Sequence, residues 1–255
     1  MLLAIDLGNT NLVFGVYNGD RLTKHWRLST LKNRTVDEYG ILLRNLFAIE
    51  NIDTKKIQSV IISSVVPPLD FILTGMVRTY FDLKPVFVTH ENAGIPVLYN
   101  DPREVGADRI VNAVAAVEKY STPSIVVDFG TATTFDAITS RGEYLGGVIA
   151  PGIVISAEAL YEHAARLPRI EILKPSTVIG RSTTGSMQSG IFHGYVALVD
   201  GILTRMKQEL GEKAYVIATG GQAAFIGQES SLINTVDDNL TLDGLRLVAG
   251  RLKMM

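Results

Sequence analysis

Two acidic residues, Asp6 and Asp128, each follow a short apolar run and each precede a glycine by two positions. The first opens the stretch Asp-Leu-Gly-Asn-Thr-Asn and the second opens Asp-Phe-Gly-Thr-Ala-Thr. Glycine permits a sharp turn that brings backbone N–H groups close to a ligand, and a carboxylate at a strand end suits a hard cation. Two such loops predict a polyphosphate site with bound cations. One loop alone would be better explained as a hairpin entry whose Asp caps its own backbone.

The segments around these two loops also repeat each other. Each is predicted as a strand, the loop, a second strand, a tight turn and a third strand, with the turns at residues 18–20 and 140–143. Both turns contain a glycine, which suits a hairpin that needs a positive φ. Because nearly half of the chain separates the two acids, the sequence predicts an N-terminal half over residues 1–118 and a C-terminal half over residues 119–255.

A third candidate site is the stretch Gly106-Ala107-Asp108-Arg109, at the junction of a loop and a predicted helix. As a purely structural residue, Asp108 would cap a helix that begins near Arg109. As a functional residue, it would accept a proton while the neighbouring guanidinium steadies an anionic group. The spacing by itself favours neither interpretation.

Short runs rich in β-branched residues alternate with longer segments of helical periodicity, which predicts an α/β fold. The predicted buried strands cover residues 2–5, 59–62, 86–89, 125–127 and 215–218. The predicted helices cover residues 37–50, a segment that begins at Pro67, residues 109–120 and residues 190–210. These elements must place the two acidic loops at strand ends and Asp108 at the start of a helix.

The composition excludes several classes of function. The chain has 24 Lys and Arg against 26 Asp and Glu, so its net charge of −2 offers no basic footprint for nucleic acid. It has no Cys, which excludes thiol nucleophiles, disulfides and Cys-type zinc sites. We see no signal peptide and no apolar run of membrane-spanning length. The sequence therefore predicts a cytoplasmic protein that binds neither nucleic acid nor membrane.

Six motifs follow one another in a characteristic order. They are Asp6-Leu7-Gly8-Asn9-Thr10-Asn11, Gly106-Ala107-Asp108-Arg109, Asp128-Phe129-Gly130-Thr131-Ala132-Thr133, Gly146-Gly147 leading to Pro151-Gly152, Met187-Gln188-Ser189-Gly190, and Thr219-Gly220-Gly221. In order and spacing the set closely resembles the type III pantothenate kinases, and the resemblance spans essentially the whole chain.

The resemblance implies an α/β fold of two ribonuclease-H-like halves, as in actin-like ATPases. In that fold, mixed β-sheets are flanked by helices and the nucleotide binds in the cleft between the halves. The resemblance also implies ATP-dependent phosphorylation of pantothenate, the first step of coenzyme A biosynthesis. The expected cofactors are ATP with Mg²⁺ and a monovalent cation, K⁺ or NH₄⁺. The expected assembly is a homodimer with a shared active site.

Residue roles follow from the positions that match the family's motifs. Asp108 is the expected base for the substrate hydroxyl, Asp128 the expected ligand of the monovalent cation, and Asp6 is expected near Mg²⁺. The expected ATP-binding residues are Asp6, Leu7, Gly8, Asn9, Thr10, Asn11, Leu12, Val13 and Thr131. The expected substrate-binding residues are Tyr99, Gly106, Ala107, Asp108, Arg109 and Thr183. Thr184 is an alternative to Thr183, because the family typically has Asn-Thr where this chain has Ser182-Thr183.

Two other functions fit the same fold. An ATPase or phosphatase would use both loops to place water instead of a hydroxyl, and its hydrolysis of ATP would not depend on pantothenate. A nucleotide-binding regulator, similar to accessory factors of gene expression, would be favoured by degraded motifs, yet the acids and hydroxyls named above are all present. The helix predicted over residues 190–210 is apolar on more than one side, so it either joins a dimer interface or lies buried in one protomer.

Overall fold

The computed structural model describes every residue from Met1 to Met255. The chain forms two compact units. The first consists of Met1–Lys119 together with Asn239–Met255, and the second consists of Tyr120–Asp238. No α-helix combines the length and the apolar composition that a membrane crossing requires.

Ten strands and seven α-helices make up the two units. The strands are β1 (Leu2–Leu7), β2 (Asn11–Asn18), β3 (Arg21–Ser29), β4 (Ser59–Ser64), β5 (Val86–Phe87), β6 (Ser124–Phe129), β7 (Ala132–Ile138), β8 (Tyr144–Pro151), β9 (Tyr215–Thr219) and β10 (Thr235–Val236). The helices are α1 (Val36–Ile49), α2 (Pro67–Phe81), α3 (Ala107–Lys119), α4 (Ile153–His163), α5 (Thr183–Leu210), α6 (Ala223–Gly227) and α7 (Leu240–Arg251).

The first unit is built on a mixed sheet in the order β3-β2-β1-β4-β5. β1, β2 and β3 pair antiparallel, whereas β4 runs parallel to β1 and β5 parallel to β4. One face of the sheet presents Leu3, Ile5 and Leu7 to a core that α1 and α2 cover. α3 and α7 pack against the opposite face, on which Gly15 of β2 approaches Leu242 of α7. Successive side chains alternate between these faces, as the pleat of a strand requires.

The second unit repeats this connectivity. Its sheet has the order β10-β9-β6-β7-β8, with β6, β7 and β8 antiparallel and β6, β9 and β10 parallel. The long helix α5 supplies Phe192, Tyr195, Val199 and Leu203 to the core of this unit. The predicted duplication is therefore confirmed at the level of fold: each half is a mixed sheet flanked by helices.

The division of the chain differs from the predicted one, because residues 239–255 belong to the first unit and not to the C-terminal half. These residues form α7, which the sequence did not predict. α7 packs so closely on α3 that a Cβ atom on Gly244 would lie 2.1 Å from the carbonyl oxygen of Val111. The hydroxyl of Tyr17 in β2 also donates a hydrogen bond of 2.8 Å to Asp243.

Two predicted helix starts are also corrected. α5 begins at Thr183 and not at residue 190, because the Ser182 hydroxyl accepts a hydrogen bond of 3.1 Å from the Gly185 N–H and caps the helix. α3 begins at Ala107 and not at residue 109, since the carbonyl of Gly106 already accepts helical hydrogen bonds from Arg109 and Ile110.

Candidate active site

The loop that joins β1 to β2 is a tight turn at the end of the central strand. Leu7 and Leu12 are its last paired residues. Within the loop, the Gly8 N–H donates a hydrogen bond of 2.9 Å to the carbonyl of Asn11. A Cβ atom on Gly8 would lie 3.1 Å from that same oxygen, so the turn favours glycine. Thr10 of the loop is exposed to solvent.

The predicted ATP-binding residues of this segment face in different directions. The side chains of Leu7 and Leu12 are fully buried in the core beneath α1 and α2, so only their backbone groups are available to a ligand. Asp6 alternates with them, and its partly exposed side chain lies on the opposite face. Asn9 is exposed, and Val13 is partly exposed.

Thr30, which no sequence motif indicates, braces this loop from just beyond the end of β3. Its hydroxyl donates a hydrogen bond of 2.7 Å to the carbonyl of Gly8. Its N–H donates another of 2.9 Å to the carbonyl of Thr10. The two bonds fix both ends of the turn. A local sequence motif could not predict them, because Thr30 is some twenty positions from its partners.

The loop that joins β6 to β7 has the same design with one residue fewer. Its last paired residues are Phe129 and Thr133, and the Gly130 N–H donates a hydrogen bond of 3.1 Å to the carbonyl of Ala132. Thr131, the predicted ATP-binding residue, is exposed at the tip. The two loops therefore match in their acid and glycine. Because the second loop is one residue shorter, the polar side chains that follow the glycine do not occupy equivalent positions in the two loops.

Two glycines pack against the second loop and its acid. The Gly152 N–H donates a hydrogen bond of 3.1 Å to the carbonyl of Thr131, and a Cβ atom at Gly152 would lie 2.3 Å from that oxygen. Gly220, which follows β9, has a φ of +96°, and a Cβ atom there would lie 2.4 Å from Oδ1 of Asp128. The Asp128 carboxylate, the predicted cation ligand, therefore lies directly against the backbone of Gly220.

Asp108 lies in the first turn of α3 and does not cap it. Its Oδ1 accepts a hydrogen bond of 2.7 Å from the Arg109 N–H. Burial raises the pKa of the Asp108 carboxyl, although this hydrogen bond and the Arg109 guanidinium act in the opposite direction. Arg109 itself is 7% exposed. A partly buried carboxylate with a raised pKa at a helix start is typical of a proton-transfer site.

A chain of contacts connects Asp108 with the first loop. The Val65 N–H, just beyond β4, donates a hydrogen bond of 3.1 Å to the carbonyl of Leu7. A Cβ atom on Gly106 would lie 3.3 Å from Cγ1 of Val65 and 2.5 Å from Oδ1 of Asp108. The carboxyl ends of β1 and β4 and the start of α3 therefore meet in one place.

The remaining predicted substrate residues occupy two other positions. Tyr99 is partly buried in the segment between β5 and the one-turn 3₁₀ helix Pro102–Glu104. Thr183 lies in the second unit, at an open groove of about 890 Å³ that Thr184 does not line. The lining residues are Leu160, Leu167, Gly180, Arg181, Ser182, Thr183, Ser186, Met187, Gly190 and Ile191.

The donors present fit a divalent cation that arrives with a nucleotide. No group of three or more His, Cys, Asp or Glu side chains in the chain is arranged to hold a metal ion. Mg²⁺ in nucleotide sites is usually bound by one or two carboxylates together with phosphate oxygens and water. Asp6, a single carboxylate beside a glycine turn, has the chemistry of such a site.

Solved structures share this fold. A protein from Campylobacter jejuni described as a Baf family transcriptional activator matches with a TM-score of 0.63 and 20% identity, covering 99% of this chain and 100% of that one. MreB 5 of Spiroplasma citri bound to AMPPNP matches with a TM-score of 0.53 and 12% identity, covering 99% and 96%. At these identities the likeness concerns the fold alone, and it is the actin-like ATPase fold that the resemblance implied.

Sequence comparisons are more specific. The family model for type III pantothenate kinase matches residues 2–205. A type III pantothenate kinase from Koribacter versatilis is 56% identical over 259 residues, covering 97% of this chain and 94% of that protein. The Myxococcus xanthus enzyme is 56% identical over 252 residues, covering 98% of each. The chain therefore belongs to the type III pantothenate kinase family.

Proposed function

We propose that this chain transfers the γ-phosphoryl group of ATP to the hydroxyl of pantothenate, with Asp108 as the base. Family membership makes the chain a pantothenate kinase, which catalyses the first step of coenzyme A biosynthesis. The observation that supports the choice of base is the position of Asp108. Its carboxylate, with a raised pKa, lies at the junction of α3 with the carboxyl ends of β1 and β4.

Phosphoryl transfer passes through a loose transition state, so positioning and charge neutralisation supply most of the catalysis. The backbone from Asp6 to Val13 would hold phosphate groups, and Thr131 would bind the nucleotide through its exposed hydroxyl. Asp6 would hold Mg²⁺ and Asp128 a monovalent cation, K⁺ or NH₄⁺. When bound, these cations offset the negative charge of the phosphates.

The Asp108 carboxylate would accept the proton of the attacking hydroxyl. It does not need to be strongly basic, because in a loose transition state proton removal lags behind cleavage of the bond to the leaving group. Arg109 would steady the anionic end of pantothenate as a guanidinium–carboxylate pair. Gly106 and Ala107 would contribute backbone contacts, and Tyr99 and Thr183 would contribute hydroxyls.

The test is mass-spectrometric detection of phosphopantothenate from ATP, Mg²⁺ and pantothenate, with K⁺ or with Na⁺ as the monovalent cation. We expect product that depends on K⁺ and disappears in Asp108→Asn. Hydrolysis of ATP that is indifferent to pantothenate would instead support an ATPase. Folded protein that binds nucleotide without turnover would support a regulator.

We also infer that the working form is a homodimer. The second unit exposes apolar side chains on its edge strand β8, where Ile149 is 63% exposed and Leu145 is 46% exposed. Val178 and Ile179, in the segment before α5, are also largely exposed. An exposed apolar edge strand favours association unless it is covered. α5 contributes less than its sequence suggested, because Leu203 is fully buried in the core of its own unit.

Light scattering after size-exclusion chromatography tests this assembly. We expect a dimeric mass for the wild-type chain and a monomeric mass with lost kinase activity for Ile149→Glu. Phe71→Glu is the matched control, because Phe71 is 81% exposed in the first unit and should tolerate the charge. A monomeric, fully active wild-type enzyme would contradict the proposal.

A further inference from the structure

Ser63, near the end of β4, is a buried polar residue that the proposed mechanism leaves unused. The side chain is 0% exposed, and its hydroxyl has no hydrogen-bond partner. Buried hydroxyls in native proteins nearly always have a partner, so an exception calls for a water, an ion or a ligand that completes it. The position of Ser63 identifies which ligand that is.

Ser63 is the direct neighbour of Asp6 across the parallel pair of β1 and β4. Paired residues on adjacent strands present their side chains to the same face of the sheet. That face is opposite to the one occupied by Ile5 and Ile62, whose side chains pack into the core beneath α1 and α2. Ser63 and Asp6 therefore stand side by side at the carboxyl ends of their strands, on the face against which α3 packs.

The surroundings of Ser63 belong to the proposed active site. Two residues further along the chain, Val65 bonds to the carbonyl of Leu7 and lies against Gly106, the residue that precedes the Asp108 turn. Ser64, between them, is already engaged, because its hydroxyl donates a hydrogen bond of 2.5 Å to Asp70. Of the two serines that end β4, only Ser63 has a hydroxyl without a hydrogen-bond partner.

The second sheet repeats this pair. Asp128 of β6 is the direct neighbour of Thr219 of β9, also across a parallel pair and also at the carboxyl ends of the strands. Thr219 is 2% exposed. Each half of the chain thus places a buried hydroxyl beside the acid that precedes its glycine loop, although the residue type changes from Ser to Thr.

We propose that Ser63 is a binding residue of the Asp6 site, where its hydroxyl donates a hydrogen bond to an oxygen atom of the bound Mg²⁺–nucleotide. The inference rests on the proposed role of Asp6. The oxygen belongs either to a water molecule of the cation's hydration shell or to a phosphate of ATP. Either oxygen would accept a hydrogen bond from the buried hydroxyl. The two differ in that the hydration water is present only when the metal is bound, whereas the phosphate is present with or without the metal.

Calorimetric titration with ATP, in the absence of pantothenate, tests the proposal without relying on turnover. The variants are Ser63→Ala, which removes the hydroxyl, and Ser63→Cys, which keeps the volume but weakens the donor. We expect both to weaken the binding of ATP with Mg²⁺ by about 3- to 10-fold, the range for one neutral hydrogen bond. If the loss of ATP affinity disappears when excess chelator removes Mg²⁺, the acceptor is hydration water. If the loss of affinity persists in chelator, the acceptor is a phosphate oxygen.

Ser124→Ala is the matched control, because Ser124 is also a 0% exposed serine whose hydroxyl has no partner, but it lies at the opposite end of its strand from Asp128. It should leave ATP binding unchanged. If Ser63→Ala and Ser63→Cys bind ATP as tightly as the wild type, or if the wild type binds no ATP, the proposal is overturned. Wild-type ATP binding without phosphorylation of pantothenate would overturn the proposed function instead.

Discussion

Gly220 presses its backbone against the carboxylate of Asp128, since a Cβ atom at residue 220 would lie 2.4 Å from Oδ1. The same Cβ would lie 2.7 Å from the backbone nitrogen of Phe129, so the obstruction includes rigid main chain. Gly220 also has a φ of +96°, a backbone conformation that residues other than glycine rarely adopt. We predict that Gly220→Ala displaces the Asp128 carboxylate and thereby raises the K⁺ concentration needed for half-maximal activity by at least about tenfold, a loss of about 1.4 kcal/mol.

Gly211→Ala separates this effect from backbone strain. Gly211 has a φ of +120°, yet nothing lies within 4 Å of a Cβ atom there. The positive φ alone should cost each variant on the order of 1 kcal/mol of stability, and Gly220→Ala should lose more, because its Cβ also meets the main chain of Phe129. Only Gly220→Ala should change the response to K⁺ in a titration of initial rates. Equal K⁺ responses in the two variants would show that Asp128 does not bind the cation.

Gly106 occupies a similar position beside Asp108. A Cβ atom on it would lie 2.5 Å from Oδ1 of the carboxylate, so Gly106→Ala must turn or push that side chain away. Because the base must stay within about 3 Å of the proton it accepts, we predict a fall in kcat of about tenfold or more with little change in melting temperature. Gly194→Ala, an exposed helical position with open space for a Cβ, should leave kcat unchanged. Steady-state kinetics of both variants measure the two values of kcat.

Asp108→Asn should affect activity and stability in opposite directions. As a base, the carboxylate acts only when it is deprotonated, so the raised pKa moves the acid limb of kcat/KM to a higher pH than an ordinary Asp would give. The variant should lose kcat by at least about a hundredfold, while KM for pantothenate changes little. A variant that raises KM alone would remove Asp108 from the role of base.

The stability of the same variant follows from the direction of that pKa change. A carboxyl whose pKa is raised in the folded state destabilises the protein when it is charged, and this cost disappears as pH falls below the ordinary Asp value of 3.8. Asn carries no charge, so Asp108→Asn should melt at a higher temperature than the wild type near pH 8. The difference should shrink as the pH is lowered towards 4. Thermal melts over that range, with circular dichroism as the signal, measure it.

The sequence predicted the features that depend on local pattern. β-branched runs located β1, β4, β6 and β9, and the repeated acid and glycine located both loops, because those residue types are confined to a few neighbouring positions. It missed α7, and with it the division of the chain. What holds α7 in the first unit is its close crossing with α3 at Gly244 and the bond between Tyr17 and Asp243, contacts that join distant parts of the chain.

The candidate site was predictable to the same extent. Asp6 and Asp128 stand out because the same acid and glycine recur in two loops, whereas Asp108 was indicated as a base by the family resemblance. Thr30 and Ser63 do not stand out, since a single hydroxyl in a strand or at its end is ordinary. Thr30 contacts the first loop and Ser63 is paired with Asp6 across the sheet, relationships that only side-chain contacts and strand register reveal.

Thr30→Val tests whether the brace on the first loop matters for nucleotide binding. The substitution keeps the shape of the side chain but removes the 2.7 Å hydrogen bond to the carbonyl of Gly8, a loss of about 1 kcal/mol. With the turn less fixed, KM for ATP should rise about fivefold, while KM for pantothenate stays constant. Thr23→Val, in β3 itself, is the matched control, because its hydroxyl donates an equally short bond of 2.7 Å to the carbonyl of Val16, away from the loop. That variant should lose similar stability and keep its KM for ATP. If both variants or neither raise KM for ATP, the brace has no specific role in binding the nucleotide.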